Sequence, residues 1–505
     1  MESNDRHIVA IDLGSSKISV TVAKVNGDDV QVVYYKETPA AGIRYSSIYN
    51  DLHARKALEK AVRDAEMELD IKINQAVVGM PKFPIRQESG NATIPDRGED
   101  AEITEENIRD LKRFAQSLYP IEDNSKEAIY GSVAQSFSDG ENFQIIEEDI
   151  IGMSSDTLEG NFKIFIGKKG NLNKIDSLMN KAGVVPMRKY FTAEATARAV
   201  LSDSEMESGV ALIDFGGGCT SVSIYQGKIM RHFASIPFGG KNITNDIKSE
   251  CQITERLAEN IKLEFGACMP DKLLSLSDKI LDIRSSSNES TKQLSVKYLS
   301  EIITARVEEI MMAVLYEIEQ SGFADSLRSG IVVTGGCAQT ANLANLIYDI
   351  SGYKARIGYP QKTFSCEGCD GLTETSAATA IGLIMASLSD TSINCATANE
   401  SKPEVETIVE EISVVGNQEE PQGVLFGGEE KTEKEAENEA EDEVKQETKS
   451  KGTKPKTTVR FTILGKTKKL MSGVTTTFNT LFDALDENKV TTTTEDNEED
   501  TEEKA

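Results

Sequence analysis

Two segments, far apart in the chain, place an aspartate and a glycine-containing turn directly after a run of apolar residues. The first is IVAIDLGSSKISV (residues 8–20), and the second is ALIDFGGGCTSVSIY (residues 211–225). Apolar residues resume after each turn, so each segment predicts a β-hairpin. A third strand follows each hairpin, in VQVVYYKET and KIMRHFASIP. Two three-strand units that begin alike predict two related α/β domains facing one another.

Both turns carry groups that suit phosphate oxygens. Backbone amides and hydroxyls in a tight turn can hold phosphate, and a lysine adds a positive charge. The first turn offers Asp12, Gly14, Ser15, Ser16 and Lys17. The second turn offers Asp214, Gly216, Gly217, Gly218 and Thr220. Two such turns would grip a polyphosphate from both sides, while Asp12 and Asp214 orient the waters around one Mg2+.

A third glycine loop lies in IVVTGGCAQTANL (residues 331–343), where a strand leads through Thr334 to Gly335 and Gly336. These glycines would let the backbone lie against a nucleoside, and the start of the helix that follows would favour neighbouring phosphates. Each loop alone is also ordinary turn chemistry. The three loops in this order predict a nucleotide cleft.

The ordered trio resembles the phosphate and adenosine motifs of the actin, heat-shock-70 and sugar-kinase superfold. FTAEATARAVL and TSAATAIGLIMAS are similar to its two connecting helices. Further stretches, including AENIKLEFGAC, IITARVEEIM and residues 207–247, are similar to the bacterial cell-division family FtsA, with a resemblance over residues 7–388. This resemblance implies an actin-like α/β fold, ATP and Mg2+ as cofactors, and at most slow ATP hydrolysis.

The resemblance also assigns candidate site residues. Gly335 and Gly336 would line the adenosine, and Glu259 and Lys262 would contact the ribose and adenine. An ordinary salt bridge between residues one helical turn apart is the open alternative for that pair. Glu194 would place the attacking water or is simply a solvated helix residue. The pair Arg306 and Glu309 matches the family pattern, in contact with nucleotide or only shaping the cleft.

The same resemblance divides the chain into subdomains, with an inserted 1C subdomain where actin has 1B. The expected boundaries are 1–82 (1A), 83–166 (1C), 167–203 (1A), 204–246 (2A), 247–317 (2B), 318–356 (2A) and 357–392 (1A). Residues 393–458 are acidic and poor in large apolar side chains, which predicts a disordered linker. Residues 488–505 predict an acidic disordered end.

Between these polar segments, residues 459–487 contain an amphipathic stretch. At 100° per residue, seven apolar side chains share an arc of about 120°, the width of an apolar helical face. They are Leu470, Met471, Val474, Phe478, Leu481, Phe482 and Leu485. FtsA proteins end in such a membrane-targeting helix, which implies weak attachment that polymerisation would strengthen. Alternatively, TTVRFTILG is a strand, and the residues after it pack on the core or fill a protein groove.

Composition narrows the function further. The 505 residues carry a net charge of -28, which disfavours nucleic acid as a partner. No apolar run is long enough to span a bilayer, and the start of the sequence does not predict a signal peptide. The seven cysteines suit a reducing cytosol. Cys366 and Cys369 form either a metal or redox pair or an incidental loop pair.

These features together predict an ATP-binding protein that forms filaments at the cytoplasmic membrane face of the division site. It would bind the C-terminal peptide of the tubulin-like protein FtsZ on subdomain 2B, and later division proteins are further possible partners. The alternatives are a pilus-assembly or shape-determining relative, or a metabolite kinase of the same superfold.

Overall fold

The computed structural model describes residues 6–27, 29–95, 101–274, 278–284, 291–361, 364–366 and 368–398. The predicted membrane-targeting stretch, the acidic end and nearly all of the predicted linker lie outside these ranges. Within the described ranges, no helix is both long and apolar enough to cross a membrane.

The strands are β1 Arg6–Leu13, β2 Lys17–Asn26, β3 Asp29–Pro39, β4 Ile43–Arg44, β5 Ser47–Ile48, β6 Ile71–Ile73, β7 Gln75–Gly79, β8 Ile85–Ile94, β9 Glu127–Ser138, β10 Leu158–Lys168, β11 Val185–Tyr190, β12 Val210–Phe215, β13 Thr220–Gln226, β14 Ile229–Ile236, β15 Ile280–Arg284, β16 Thr291–Ser295, β17 Ile331–Thr334, β18 Ala355–Ile357, β19 Ser365–Cys366 and β20 Ala396–Ala398. The α-helices are α1 Asp51–Leu69, α2 Glu105–Leu118, α3 Glu147–Ile150, α4 Lys169–Lys181, α5 Thr192–Val200, α6 Asp203–Ser208, α7 Gly240–Cys251, α8 Glu255–Phe265, α9 Val296–Gln320, α10 Leu343–Ser351 and α11 Ala378–Ser387.

Two sheets repeat the same plan. The first has the strand order β11-β7-β1-β2-β3-β19, and the second has the order β14-β13-β12-β17-β18. In each, an aspartate-bearing strand pairs antiparallel with the next strand and parallel with a later one: β1 with β2 and β7, β12 with β13 and β17. The predicted pair of related α/β domains is therefore confirmed, because both hairpins form where alternation and turn glycines place them.

The two alanine-rich connecting helices, α5 and α11, cross at close range. A Cβ added to Gly382 on α11 would overlap the backbone of Ala195 on α5. The hydroxyls of Thr196 and Thr379 also lie 3.0 Å apart in this buried interface. Small residues thus let the helices approach closely, and α11 in turn packs against β1 of the first sheet.

A separate three-stranded sheet, β8-β10-β9, carries α2 on one face. Its core includes Leu111, Phe137 and Phe162, each at most 2 % exposed. It also reaches the second large sheet, because the Gln87 side chain accepts a hydrogen bond from the Phe233 amide at 3.0 Å. These strands fall within the stretch assigned to subdomain 1C, although the subdomain boundaries themselves stay a prediction.

The ordered chain continues beyond the predicted start of the linker. Strand β20 pairs antiparallel with β6, and the preceding Ile393 and Cys395 are at most 1 % exposed. The backbone amide of Cys395 donates to the carbonyl of His7 at 2.7 Å. A linker beginning at residue 393 is therefore wrong by these few residues, because their small apolar side chains complete the edge of the first core.

Candidate functional site

A cleft of about 280 Å3 lies between the two aspartate-bearing hairpins. Thirteen of the predicted ligand residues line it, so loops from three distant parts of the chain meet there. They are Asp12, Gly14, Ser15, Ser16, Lys17, Asp214, Gly216, Gly217, Gly218, Glu259, Lys262, Gly335 and Gly336. The binding role of each remains a prediction, but their convergence is a property of the fold.

The two phosphate-type turns touch each other across the cleft. A Cβ added to Gly217 would overlap the Ser16 hydroxyl, and one added to Gly218 would lie 2.5 Å from the Ser15 oxygen. The Lys241 ammonium at the start of α7 donates to the Ser15 carbonyl at 2.5 Å. The second turn therefore needs glycine at these positions for steric reasons, since any side chain would push the two turns apart.

Lys82, from the segment between β7 and β8, sits at the centre of this junction. Its ammonium contacts Asp214 and lies 3.3 Å from the Thr379 hydroxyl. Burial lowers the pKa of Lys82, but Asp214 and Asp12 outweigh it, so the pKa is raised and the ammonium stays charged. Burial raises the pKa of Asp12, and Lys82 opposes that shift.

This carboxylate pair fits a hard cation. The Asp214 carboxylate is close enough to contribute to the raised pKa of Asp12. Oxygen ligands of this kind, with water completing the shell, are what Mg2+ uses beside phosphates. Across the described ranges, no group of three or more histidine, cysteine, aspartate or glutamate side chains forms a metal cage. The carboxylate pair of the cleft suits a metal that arrives with a phosphate ligand.

Lys17 is engaged by a carboxylate that the sequence motifs do not reveal. Its ammonium contacts Glu37 on β3 and donates to the Ser376 carbonyl at 3.0 Å. Glu37 also accepts hydrogen bonds from the hydroxyls of Tyr35 at 2.5 Å and Ser376 at 2.9 Å. Burial would raise the pKa of Glu37, but Lys17 and these donors overcome it and lower the pKa. The result is a fixed, ionised carboxylate.

The opposite wall is built on α7 and α8. Lys262 donates to both carboxylate oxygens of Glu259 at 2.9 and 2.8 Å, and to the Thr244 hydroxyl at 2.9 Å. The predicted salt bridge is therefore present and also faces the cleft. The Cys337 thiol packs here against Gly240, and burial raises its pKa to about 11. It is a neutral wall group at physiological pH.

The third loop follows the predicted order of strand, glycines and helix. A short 3-10 helix, Gly336–Gln339, follows Gly335, and α10 begins only at Leu343. The predicted helix after these glycines thus begins as a 3-10 turn, and the α-helix follows a few residues later. Gly335 has φ 90° and ψ 170°, and a Cβ there would lie 2.6 Å from an Asp214 oxygen. The glycine lets the backbone pass beside the aspartate of the second hairpin.

Two predicted residues do not reach the cleft. Glu194 is not among the cleft-lining residues, and burial raises its pKa in a setting whose nearby charges are Arg198 and Lys112. It is therefore not placed to orient an attacking water. Thr220 is buried at 0 % exposure and donates to the Phe238 carbonyl at 2.8 Å. It holds the chain together beside the hairpin instead of binding a ligand.

Arg306 and Glu309 pair with one another on α9 and also lie outside the cleft lining. Arg306 Nη2 donates to Asp246 of α7 at 2.9 Å, while its Nη1 donates to Glu309 at 2.5 Å. The pair therefore braces α9 against α7, which supports the structural interpretation of this family pattern.

The polar cleft residues that the sequence prediction misses include Lys82, Glu37 and Ser46. The sequence does contain a signal for Lys82 as a site residue, because Lys82 closely follows the apolar strand QAVVG and ligands bind at the carboxyl ends of parallel strands. Glu37 and Ser46 had none, since each lies in a polar stretch with no distinguishing motif. The Ser46 amide nevertheless donates to the Ser15 hydroxyl at 2.8 Å from a hairpin tip that lines the cleft.

The sequence is similar to those of known cell division proteins. The sequence model described as Cell division protein FtsA matches residues 211–382. A Cell division protein FtsA from Neisseria meningitidis is 28% identical over 390 residues, covering 76% of this chain and 91% of the relative. The Bacillus subtilis protein of the same name is 26% identical over 383 residues, covering 76% and 83% respectively.

Among solved structures, a chain of the PilM-PilN type IV pilus biogenesis complex aligns with a TM-score of 0.52 and 12% identity. The match covers 75% of this chain and 98% of that one. At this identity the match speaks to the fold alone, and it agrees with the predicted actin-like architecture. Taken with the sequence relatives, the chain is similar to cell division proteins FtsA over most of their length and has an actin-like fold.

Proposed function

We propose that this protein binds ATP with Mg2+ in the cleft and serves cell division as a filament-forming protein at the cytoplasmic membrane face. The observation that carries the nucleotide part is the convergence of Ser15, Ser16, Gly217 and Gly218 at one junction. Backbone amides and hydroxyls there come from two facing hairpins. Such an arrangement favours a chain of phosphates over a single anion.

In this proposal the chain's own residues divide the work. Ser15 and Ser16 would donate to phosphate oxygens from one side, and the Gly217 and Gly218 amides would do so from the other, while the Gly216 amide closes its own turn on the Cys219 carbonyl. Glu259 and Lys262 face the nucleoside, whose base lies along Gly335 and Gly336. Asp12 and Asp214 would hold Mg2+ through water, and the metal would supply charge that offsets the phosphates.

Hydrolysis would be slow. The carboxylate predicted to place water, Glu194, lies outside the cleft lining. Glu37 is ionised but is bound by three donor groups from Lys17, Tyr35 and Ser376. The sequence contains no stretch similar to the catalytic base and acceptor pocket of a sugar kinase, so a kinase reaction has no supporting feature. ATP would therefore mainly set conformation and assembly.

Nucleotide binding is tested by calorimetric titration of the full chain with ATP and Mg2+. Gly218→Val should abolish binding, because its side chain would occupy the space of Ser15. Gly170→Ala is the matched control, since nothing lies within 4 Å of its Cβ position on α4. Equal affinity of Gly218→Val and the unmodified protein would refute the cleft assignment.

The division role is tested by capture on an immobilised FtsZ C-terminal peptide. The FtsA relatives motivate this partner, which the family resemblance places on subdomain 2B. Saturable binding supports the tether. Its absence, with ATP binding intact, would favour a pilus-assembly or shape-determining role.

Membrane attachment is tested by flotation of the full chain with anionic liposomes in the presence of ATP. Phe478→Asp should reduce flotation, because it puts a charge on the apolar arc. Thr476→Asp places the same charge on the opposite side of a helix and should reduce it less. Equal effects of the two variants would favour the strand or protein-groove interpretation of residues 459–487.

A further inference from the structure

Lys82 occupies the place between the two hairpins where the charge of a bound cation would be needed. Its side chain is 13% exposed, and that of Asp214 is 9% exposed. The contact between them is therefore largely removed from solvent. Asp12 is the second carboxylate that acts on this ammonium. The site thus already contains one ammonium facing two aspartate side chains.

The position of this lysine is fixed by the fold. Strand β7 pairs parallel with β1, so the segment that leaves β7 emerges beside Asp12. The Thr379 hydroxyl of α11 gives the ammonium a further oxygen partner at 3.3 Å. The residue after Lys82 is also anchored, because the Phe83 carbonyl accepts from the Ser47 hydroxyl at 3.2 Å. The chain on either side of Lys82 is therefore fixed, by β7 before it and by the Phe83–Ser47 hydrogen bond after it, and this keeps its ammonium beside the carboxylates.

An ammonium and a hydrated Mg2+ make similar demands on a carboxylate pair. Both donate hydrogen bonds, directly or through bound water, to the same oxygens, so they compete for one position. The other lysines beside the cleft are engaged elsewhere: Lys17 contacts Glu37, Lys241 donates to the Ser15 carbonyl, and Lys262 pairs with Glu259. Lys82 is thus the lysine placed to exchange with a metal.

We propose that Lys82 is a resident counter-ion of Asp12 and Asp214, displaced when a metal–nucleotide enters and then free to pair with phosphate oxygens. This inference rests on the proposed nucleotide function. It makes two predictions. Nucleotide should bind measurably without Mg2+, because Lys82 supplies part of the missing charge. The nucleotide-free protein should bind divalent cations weakly, because Lys82 competes for their ligands.

The first test measures ATP affinity in EDTA and in Mg2+ for the full chain and for Lys82→Met. The ratio of the two dissociation constants should rise by roughly tenfold or more in the variant, since phosphates would then face two uncompensated carboxylates without metal. Lys82→Arg keeps the charge and should keep a ratio near that of the unmodified protein. Lys241→Met is the matched control, expected to lower affinity with and without Mg2+ by similar factors.

A second test needs no nucleotide. Titration of the nucleotide-free protein with Mn2+, followed by electron paramagnetic resonance of the free ion, should show tighter binding by Lys82→Met. If this variant does not fold, Lys82→Gln provides the same comparison. Unchanged Mg2+ dependence together with unchanged Mn2+ affinity would overturn the counter-ion role. Failure of every form to bind ATP, with tighter Mn2+ binding by the variant, would refute the nucleotide function and leave the counter-ion role standing.

Discussion

Replacing Gly335 by alanine should damage both the fold and the cleft. Gly335 has φ 90° and ψ 170°, a region that only glycine occupies without strain. The added Cβ would lie 2.6 Å from Asp214 Oδ1 and 2.7 Å from the Phe215 carbonyl oxygen. The peptide cannot easily turn away, because Thr375 bonds it twice: its carbonyl accepts from Gly335 N at 3.2 Å, and its hydroxyl donates to Gly335 O at 2.8 Å.

Two costs add in this variant. The backbone conformation costs an alanine about 1–3 kcal/mol. Displacing a tightly packed backbone oxygen costs about 1–3 kcal/mol more. We therefore expect a loss of roughly 2–6 kcal/mol in the free energy of unfolding, against a typical total of about 5–15 kcal/mol. The protein should still fold, but Asp214 would be pushed from its contact with Lys82, so ATP affinity should fall as well.

The neighbouring glycine provides the control. Nothing lies within 4 Å of a Cβ added to Gly336, and its φ is outside the left-handed range. Gly336→Ala should change stability by no more than about 0.5 kcal/mol. Urea denaturation and binding of a fluorescent ATP analogue measure both variants. Equal stability of Gly335→Ala and the unmodified protein, or an equal loss in Gly336→Ala, would refute this explanation of the loop.

Three further changes test other elements. Tyr45 and Ser46 at the β4–β5 hairpin tip have φ of 47° and 60°, which strains residues other than glycine and asparagine. Replacing them by Asn-Gly should raise the free energy of unfolding in urea by about 1 kcal/mol. A lower free energy of unfolding would show that the tip is not strained. The pKa of Glu205 is lowered. Burial alone would raise this pKa, but the ion pair with Arg356 and the hydrogen bonds to Ser202 at the helix cap have the larger effect. Its contribution is therefore present above its ordinary pKa of 4.5 and lost as pH falls through the lower folded value. Glu205→Gln should cost on the order of 1 kcal/mol at pH 7, because water screens the 42% exposed Arg356, and the difference should vanish in acid. Gly382→Ala should destabilise by roughly 1–3 kcal/mol despite better helix propensity, because α5 leaves no room, and a gain would contradict that packing.

The sequence predicted the hairpins and their turns well because their causes are local. In β1 and β12, apolar runs end in an aspartate and a glycine turn, which fix a hairpin almost regardless of surroundings. The helix α1 was equally accessible, since Leu58, Val62 and Ala65 are buried at helical spacing. Where a motif carries its own turn chemistry, sequence is enough to place it.

Side-chain direction across the cleft was less accessible. Glu194 and Lys82 are both polar residues beside apolar segments, yet only Lys82 faces the phosphate loops. The difference depends on the packing of α5 against α11 and on the parallel pairing of β7 with β1. Both are long-range contacts that helical or strand periodicity does not specify. For Glu194 and Lys82, contacts between distant elements separate the predicted site from the observed one.

The charges of the cleft connect its phosphate end to elements beyond it. Lys82 faces Asp214 and leads into β8 of the three-stranded sheet, while Glu37 links Lys17 to Ser376 at the approach to α11. A polyphosphate that draws either ammonium away must leave a carboxylate to find another partner, because buried charges are costly when unpaired. Occupation of the phosphate end would therefore shift the balance of contacts on both segments. If ATP binds as proposed, this shift would reach β8 of the small sheet through Lys82 and the approach to α11 through Ser376.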